Sequence, residues 1–323
     1  MIYCGHTGVD LKRKDLLSVS DLSSEDIRLL ISNAIALKAE GWSSLLRGKV
    51  LVLMFEKPSL RTRVSFELAM RQLGGHSLYL SPEEVGLGKR EPISDVAQVL
   101  CRYANAIVAR TFSHQTLEVL ANYSSVPVIN ALSDLEHPCQ ALADLLTIYE
   151  KKETLEGVTI AYIGDGNNVA HSLLLAASLS GVNFRIASPH GYQVQEEILH
   201  LAQEYSIESG AEIFCTEEPH LAVSGADVVY TDVWASMGQE AEADQRRQAF
   251  AAFQVDGELL SLAKGEAILM HPLPAHHGEE VAENILYSPQ SVVFDQAENR
   301  MHLQKALLAE MLGGLEIPLA NCR

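Results

Sequence analysis

Short apolar runs alternate with helix-patterned segments along most of this chain, and no other feature narrows its possible folds as much. KVLVLMF (49–55), HSLYLS (76–81), AIVART (106–111) and VPVIN (126–130) have the length and composition of strands. Between them, SLRTRVSFELAMRQLG (59–74), ISDVAQVLCRYA (93–104) and HQTLEVLANYS (114–124) read as helices, the first with Val64, Leu68 and Leu73 as its apolar stripe. HPCQALADLLTIYEKK (137–152) reads as a long amphipathic helix. A second set of strands follows it: GVTIAYIG (157–164), VNFRIAS (182–188), AEIFCT (211–216), DVVYTDVW (227–234) and EAILMH (266–271). AENRMHLQKALLAEML (297–312) reads as a final helix. Strand–helix alternation of this kind gives parallel sheets covered by helices. The expectation is therefore an α/β fold of two domains, each a parallel-sheet α/β sandwich, joined by a long interdomain helix. Residues 1–150 form the first domain and 151–296 the second. A length of 323 residues suits two cores better than one.

Composition excludes some partners. The formal net charge of −18 argues against nucleic acid and against an anionic membrane surface. It leaves room for a small anion in a locally basic pocket. No apolar run approaches the ~18 residues of a membrane span, and the first fifteen residues lack the apolar centre of a signal peptide. Five scattered cysteines without a CxxC pair read as reduced thiols, which points to the cytoplasm.

The polar residues that interrupt this pattern gather at strand ends. FEKPSLRTR (55–63) places Ser59, Arg61, Thr62 and Arg63 where a strand meets a helix. Unpaired N–H groups, hydroxyls and guanidinium groups there suit a phosphate, although a capped helix with solvent-facing arginines has the same spelling. Arg110 stands just past another strand; His137 and Gln140 open the long helix, with Pro138 in its first turn. GDGNN (164–168) resembles a dinucleotide fingerprint but has Val169 where the third glycine belongs. Asn167 and Asn168 suit a carboxylate or an amino-acid backbone instead. Asp232, in DVWASMG (232–238), could receive an ammonium or simply cap a helix, and Arg300 in FDQAENR could pair with nearby acids. HPLPAHH (271–277) admits two readings: a metal or acid–base centre built on histidines, or a proline-stiffened backbone that presents its carbonyls. Taken together, six strand ends bring Arg, His, Gln, Asn, Asp and Ser to the carboxyl edge, where open α/β sheets bind ligands.

FEKPSLRTR, HPCQ, GDGNN, DVWASMGQE, HPLPA and ENR, in that order, resemble the aspartate/ornithine carbamoyltransferase family over nearly the whole chain, and its ornithine branch through DVWASMG. The resemblance implies a carbamoyl-phosphate domain (1–150, with the C-terminal helix 297–323 packing back on it) and an ornithine domain (151–296). It implies a homotrimer or a multiple of trimers, small-molecule substrates, and neither cofactor nor metal. By the same resemblance Ser59, Leu60, Arg61, Thr62, Arg110, His137, Gln140, Pro272, Leu273 and Arg300 would bind carbamoyl phosphate. Arg61, Arg110, His137 and Pro272 would be catalytic. Asn168, Asp232, Ser236 and Met237 would bind L-ornithine, whose δ-amine takes the carbamoyl group to give L-citrulline. His271, Pro272 and Leu273 would line the meeting point, with Leu273–Pro274 cis, which favours the carbonyl-display reading of HPLPAHH.

Four positions depart from the ornithine branch: Pro272 stands where Cys is usual, Leu60 where Thr is usual, Gly86 where Gln or His precedes LG, and His277 where Arg is common. Lys89 or Arg90 could take over from Gly86 toward a neighbouring subunit. Two further readings stay open, a carbamoyltransferase with another acceptor amine such as an N-acylated ornithine, and a non-catalytic relative.

Overall fold

A computed structural model describes residues 11, 14–86, 90–235 and 242–313. Two all-parallel sheets form its frame. The first contains β1 (Val50–Phe55), β2 (His76–Leu80), β3 (Ala106–Arg110) and β4 (Val128–Leu132) in the order β2-β1-β3-β4. Its helices are α1 (Ser24–Glu40), α2 (Leu60–Gln72), the short α3 (Pro82–Val85), α4 (Ile93–Leu100) and α5 (His114–Tyr123). The second sheet contains β5 (Thr159–Ile163), β6 (Asn183–Ala187), β7 (Ile213–Thr216), β8 (Val228–Thr231) and β9 (Ile268–Met270) in the order β7-β6-β5-β8-β9. α6 (Pro138–Lys152) connects the sheets. α7 (Asn168–Leu179), α8 (Glu196–Ser209), α9 (Pro219–Val223), α10 (Ala243–Ala249) and α11 (Gly257–Leu260) cover the second sheet, and α12 (Val293–Gly313) follows.

The strand orders matter for function. In the first sheet the chain turns left and right of the β1/β3 pair; in the second it does so about β5/β8. Such switch points leave a crevice at the carboxyl ends of the two strands, because the following helices lie on opposite faces. Both crevices open on one cleft.

Two helices depart from their sequence patterns. α6 is buried from Pro138 through Ile148, on every face rather than one. It packs against α1, α7 and α12, so its polar positions Gln140, Asp144 and Thr147 must find partners inside the protein. Its leucines and Ile148 each contribute about 1.5–3 kcal/mol of apolar burial. α2 buries Thr62, Ser65, Phe66, Ala69 and Met70, while Val64 and Leu68 are exposed. Of the expected stripe only Leu73, at the helix end, is buried. The face that looked like core points outward. α12 starts at Val293, four residues before the expected start, and packs against α1, α2 and α6. It therefore returns the end of the described chain to the helices that accompany the first sheet.

Candidate active site

The cleft between the two carboxyl edges has a volume of about 890 Å³ and is lined from both sheets. Ser59 caps α2: its hydroxyl accepts the Thr62 N–H at 3.4 Å and donates to Thr62 Oγ1 at 3.0 Å. Leu60 is three-quarters exposed at the cleft wall, and Arg61 is half-buried beside it. Arg110 closes β3, where the β3–β4 register shifts between Ala109 and Arg110. That irregularity re-aims the strand end toward the cleft. Arg300 enters from α12 and donates to Thr62 Oγ1 at 2.6 Å.

Three cations thus converge. Burial holds the Arg110 guanidinium down to about 10, helped by Arg300 and Arg61; burial and then Arg61 do the same to Arg300, also about 10. Among the described residues no carboxylate forms an ion pair with any of the three. The Nε atoms of Arg110 and Arg300 are buried without a partner. A cluster of mutually repelling, partly unsatisfied guanidinium groups is a site for an anion of high charge. Arg300 makes no contact ion pair among the described residues; the buried Asp144 carboxylate acts on it through space and opposes the lowering.

His137 occupies the N-cap position of α6, but its side chain makes no cap bond. Burial first, then Arg300 and Arg110, hold its imidazole well below the ordinary range, so it is neutral at pH 7. Its Nδ1 and the Oε1 of Gln140 are buried without protein partners. The peptide ahead of it is held by the second sheet's helix: Ser172 Oγ on α7 accepts the His137 N–H at 2.8 Å and donates to Glu136 at 2.8 Å. Glu136 also accepts from Ser18 and from the Val19 N–H.

The second sheet supplies amides and acids. Asn167 caps α7 through Oδ1 and donates Nδ2 to Asp232 at 2.9 Å. Asn168 donates to the Ser133 carbonyl at 2.6 Å, across to the first sheet. Gly166 has a reason unrelated to nucleotides: a Cβ there would lie 2.3 Å from the Val194 nitrogen. Asp232 is buried in the cleft wall. Burial raises its carboxyl, opposed by His271, by Asn167 and by the Val233 N–H. Ser236 and Met237 lie outside the described residues, as does Lys89; Arg90 is exposed, and Gly86 ends α3 in the left-handed region at φ 52°.

Pro272 and Leu273 line the cleft, but His271 does not. It is fully buried, with Nε2 3.1 Å from Glu280 and Nδ1 accepting the Leu273 N–H at 2.9 Å. The histidine is a bracket beneath the loop, tied to Glu280 on one side and to the Leu273 N–H on the other. It holds Leu273 at φ 55°, a region that L residues rarely visit. Leu273–Pro274 is cis. At the rim, ligand atoms of His276, Glu279 and Glu280 lie within 4.8 Å of one another, with Glu279 already paired to Arg247.

Sequence reasoning missed the buried groups that position these residues. Asp144 accepts from Gln140, Gln296 and Tyr230. Asp165 pairs with Arg246 at 2.7 Å, and both line the cleft. The spacing of Gln140 and Asp144 on one helix face was a signal; the Asp165–Arg246 pair left none.

Residues 14–150 match the carbamoyl-P binding domain of the aspartate/ornithine carbamoyltransferases, and residues 156–311 match the Asp/Orn binding domain. The chain is 51% identical over 314 residues to an ornithine carbamoyltransferase of Pyrococcus abyssi, covering 95% of this chain and 98% of that one. It is 50% identical over 314 residues to an anabolic ornithine carbamoyltransferase of Pyrococcus furiosus, covering 95% and 99%. A solved structure of ornithine carbamoyltransferase from Pyrococcus furiosus superposes with a TM-score of 0.92 at 50% identity, covering 96% of this chain and 100% of that one.

Proposed function

The chain belongs to the aspartate/ornithine carbamoyltransferase family, and on that premise we propose that it transfers the carbamoyl group of carbamoyl phosphate to the δ-amine of L-ornithine, giving L-citrulline and phosphate. The observation that carries this reading is the cluster of Arg61, Arg110 and Arg300, which opens on the same cleft as buried Asp232. One edge suits a phosphate dianion and the other an ammonium.

In this reading Ser59, Arg61 and Thr62 hold the phosphate, with Leu60 at its side. Arg110, His137 and Arg300 face the carbonyl oxygen, and Gln140, Pro272 and Leu273 receive the carbamoyl NH2. Asn168, Asp232, Ser236 and Met237 hold the α-amino and carboxylate groups of ornithine. The δ-amine lone pair forms the new C–N bond, the carbamoyl C–O bond to phosphate breaks, and phosphate leaves with the electron pair. The amine must lose its proton before attack, and the leaving phosphate takes up the proton released on bond formation. Charge that grows on the carbonyl oxygen and then on phosphate meets fixed cations, which need no reorganisation at that moment. Neutral His137 can donate to the oxygen without adding a fourth charge to the cluster.

The burial of Asp232 favours free ornithine over an N-acylated acceptor, because acylation removes the ammonium that would neutralise it. Residues up to 150, with the helix that returns to them, would handle carbamoyl phosphate, and residues 151–296 ornithine. The exposed line of Leu60, Val64 and Leu68 on α2 supports assembly into homotrimers or multiples of them. No helix among the described residues is long and apolar enough to cross a membrane; the reading places the reaction in the cytoplasm, and its anabolic direction takes support from the relative that is named anabolic.

Purified protein with carbamoyl phosphate and L-ornithine should form citrulline, and Arg61→Ala should lose about 10³-fold in rate. No citrulline at millimolar substrates would sink the reading, and with it the idea that Pro272 serves where relatives carry a thiol.

A further inference from the structure

We propose that Asp144 is the positioning residue by which the cleft selects a carbamoyl group over an acyl group: it fixes the Gln140 amide so that an oxygen, and never an N–H, is what that residue offers the substrate. The proposal deepens the carbamoyl-phosphate reading and rests on it.

Gln140 lines the cleft, and its Nε2 donates to Asp144 Oδ1 at 2.8 Å. Its Oε1, turned away from Asp144, is buried without a protein partner. An amide alone could present either end, since the two are interchangeable in shape. Here the choice is made by a carboxylate, which only accepts.

The same carboxylate governs the opposite wall. Gln296 donates to Asp144 Oδ1 at 2.8 Å, and its own Oε1 accepts the His271 N–H at 2.9 Å, one residue before Pro272. Tyr230 donates to Oδ2 at 2.9 Å. Three donors therefore converge on one fully buried side chain. The carboxylate accepts from all three, both glutamines at Oδ1 and the tyrosine at Oδ2. Both glutamines meet Oδ1 and only the Tyr230 hydroxyl meets Oδ2, so an asparagine could keep both bonds and turn its N–H toward Tyr230, whereas a leucine offers no acceptor and frees the Gln140 amide to turn round.

The chemical consequence concerns the substrate's third substituent. Carbamoyl phosphate and acetyl phosphate share a phosphate, a carbonyl and a shape. They differ in an NH2 where the other has CH3. Facing a fixed acceptor, the NH2 makes a hydrogen bond, whereas the methyl leaves a buried oxygen unpaired.

The test compares two ligands in wild type and Asp144→Leu: KM for carbamoyl phosphate in citrulline formation, and the inhibition constant of acetyl phosphate in the same assay. Wild type should prefer carbamoyl phosphate by about ten- to hundredfold, the range of one hydrogen bond at a buried partner. The variant should lose about tenfold or more of that preference, with its acetyl phosphate constant nearly unmoved. Damage to the fold would weaken both ligands alike and leave the ratio intact, and an intact ratio overturns the proposal. If Asp144→Leu does not fold, Asp144→Ala removes the same acceptor with less bulk and should lose about three- to tenfold; an unchanged ratio there is equally fatal. Wild-type protein that makes no citrulline would instead bring down the underlying reading.

Discussion

The two strand edges that face each other across the cleft are in opposite states of electrostatic completion. At the first, Arg61, Arg110 and Arg300 depress one another or are depressed by burial, and no acid pairs with them among the described residues. At the second, Asp165 is held by Arg246 and Asp232 by Asn167, so each acid already has a partner. One edge is unsatisfied until an anion arrives; the other is closed upon itself and must offer a better exchange than the bonds it holds. A site for a dianion and an amino acid is thus assembled from two different kinds of unfinished chemistry.

The largest expected effect breaks the first edge. Arg110→Met should lower kcat/KM for carbamoyl phosphate by about 10³-fold or more, because a buried cation aimed at developing charge is removed. The same change should cost little stability in phosphate-free buffer. Relieving repulsion from Arg300 and Arg61 offsets the lost contacts. Activity within tenfold of wild type would show that the cluster is not the anion site. The second edge should respond differently: Asp232→Asn should lower kcat/KM for ornithine by about 10²-fold, in the range for removing one partner of a buried charge pair, while KM for carbamoyl phosphate stays within about threefold. Equal damage to both substrates would erase the distinction between the edges.

Ligand-dependent stability sharpens the contrast further. Inorganic phosphate at about 100 times its Kd should stabilise the protein by about 2.7 kcal/mol, read as a thermal shift, and Arg61→Ala should abolish the shift. A shift that survives in the variant would place phosphate elsewhere.

The frame of this molecule was legible in the sequence because it depends on local periodicity. The nine strands among the described residues follow from short apolar runs, and the strand-end positions of Ser59, Arg110, Asn168, Asp232 and Pro272 follow from the strands. What periodicity could not show is which apolar face meets the core. α2 carries Val64 and Leu68 outward and buries Thr62 and Ser65, because Thr62 is needed as the acceptor for Arg300. α6 has an amphipathic spelling yet is buried all round, because its polar residues are satisfied by groups far away in the chain, such as Gln296 and Tyr230 for Asp144. Likewise the three histidines of HPLPAHH are equivalent as letters. Only the position of Glu280 shows that His271 is a bracket inside the protein.

Asp144 lies behind both edges, and its effect on stability is the smallest but the most diagnostic. Burial pushes its carboxyl up to about 6 from an ordinary 3.8, against the hydrogen bonds from Gln296, Gln140 and Tyr230. A raised folded pKa means that the group's contribution to stability is complete below about pH 4 and is lost as pH rises through about 6. The slope reaches at most about 1.4 kcal/mol per pH unit. Asp144→Leu has nothing to ionise there. Urea midpoints measured from pH 4 to pH 7 should therefore move in favour of the variant, relative to wild type, as pH rises. Parallel curves would mean that Asp144 carries no such penalty in the folded protein. A variant that gains on wild type toward neutral pH, yet chooses less well between carbamoyl and acetyl phosphate, would show an acid kept for the geometry it imposes on the cleft at the expense of the fold that holds it.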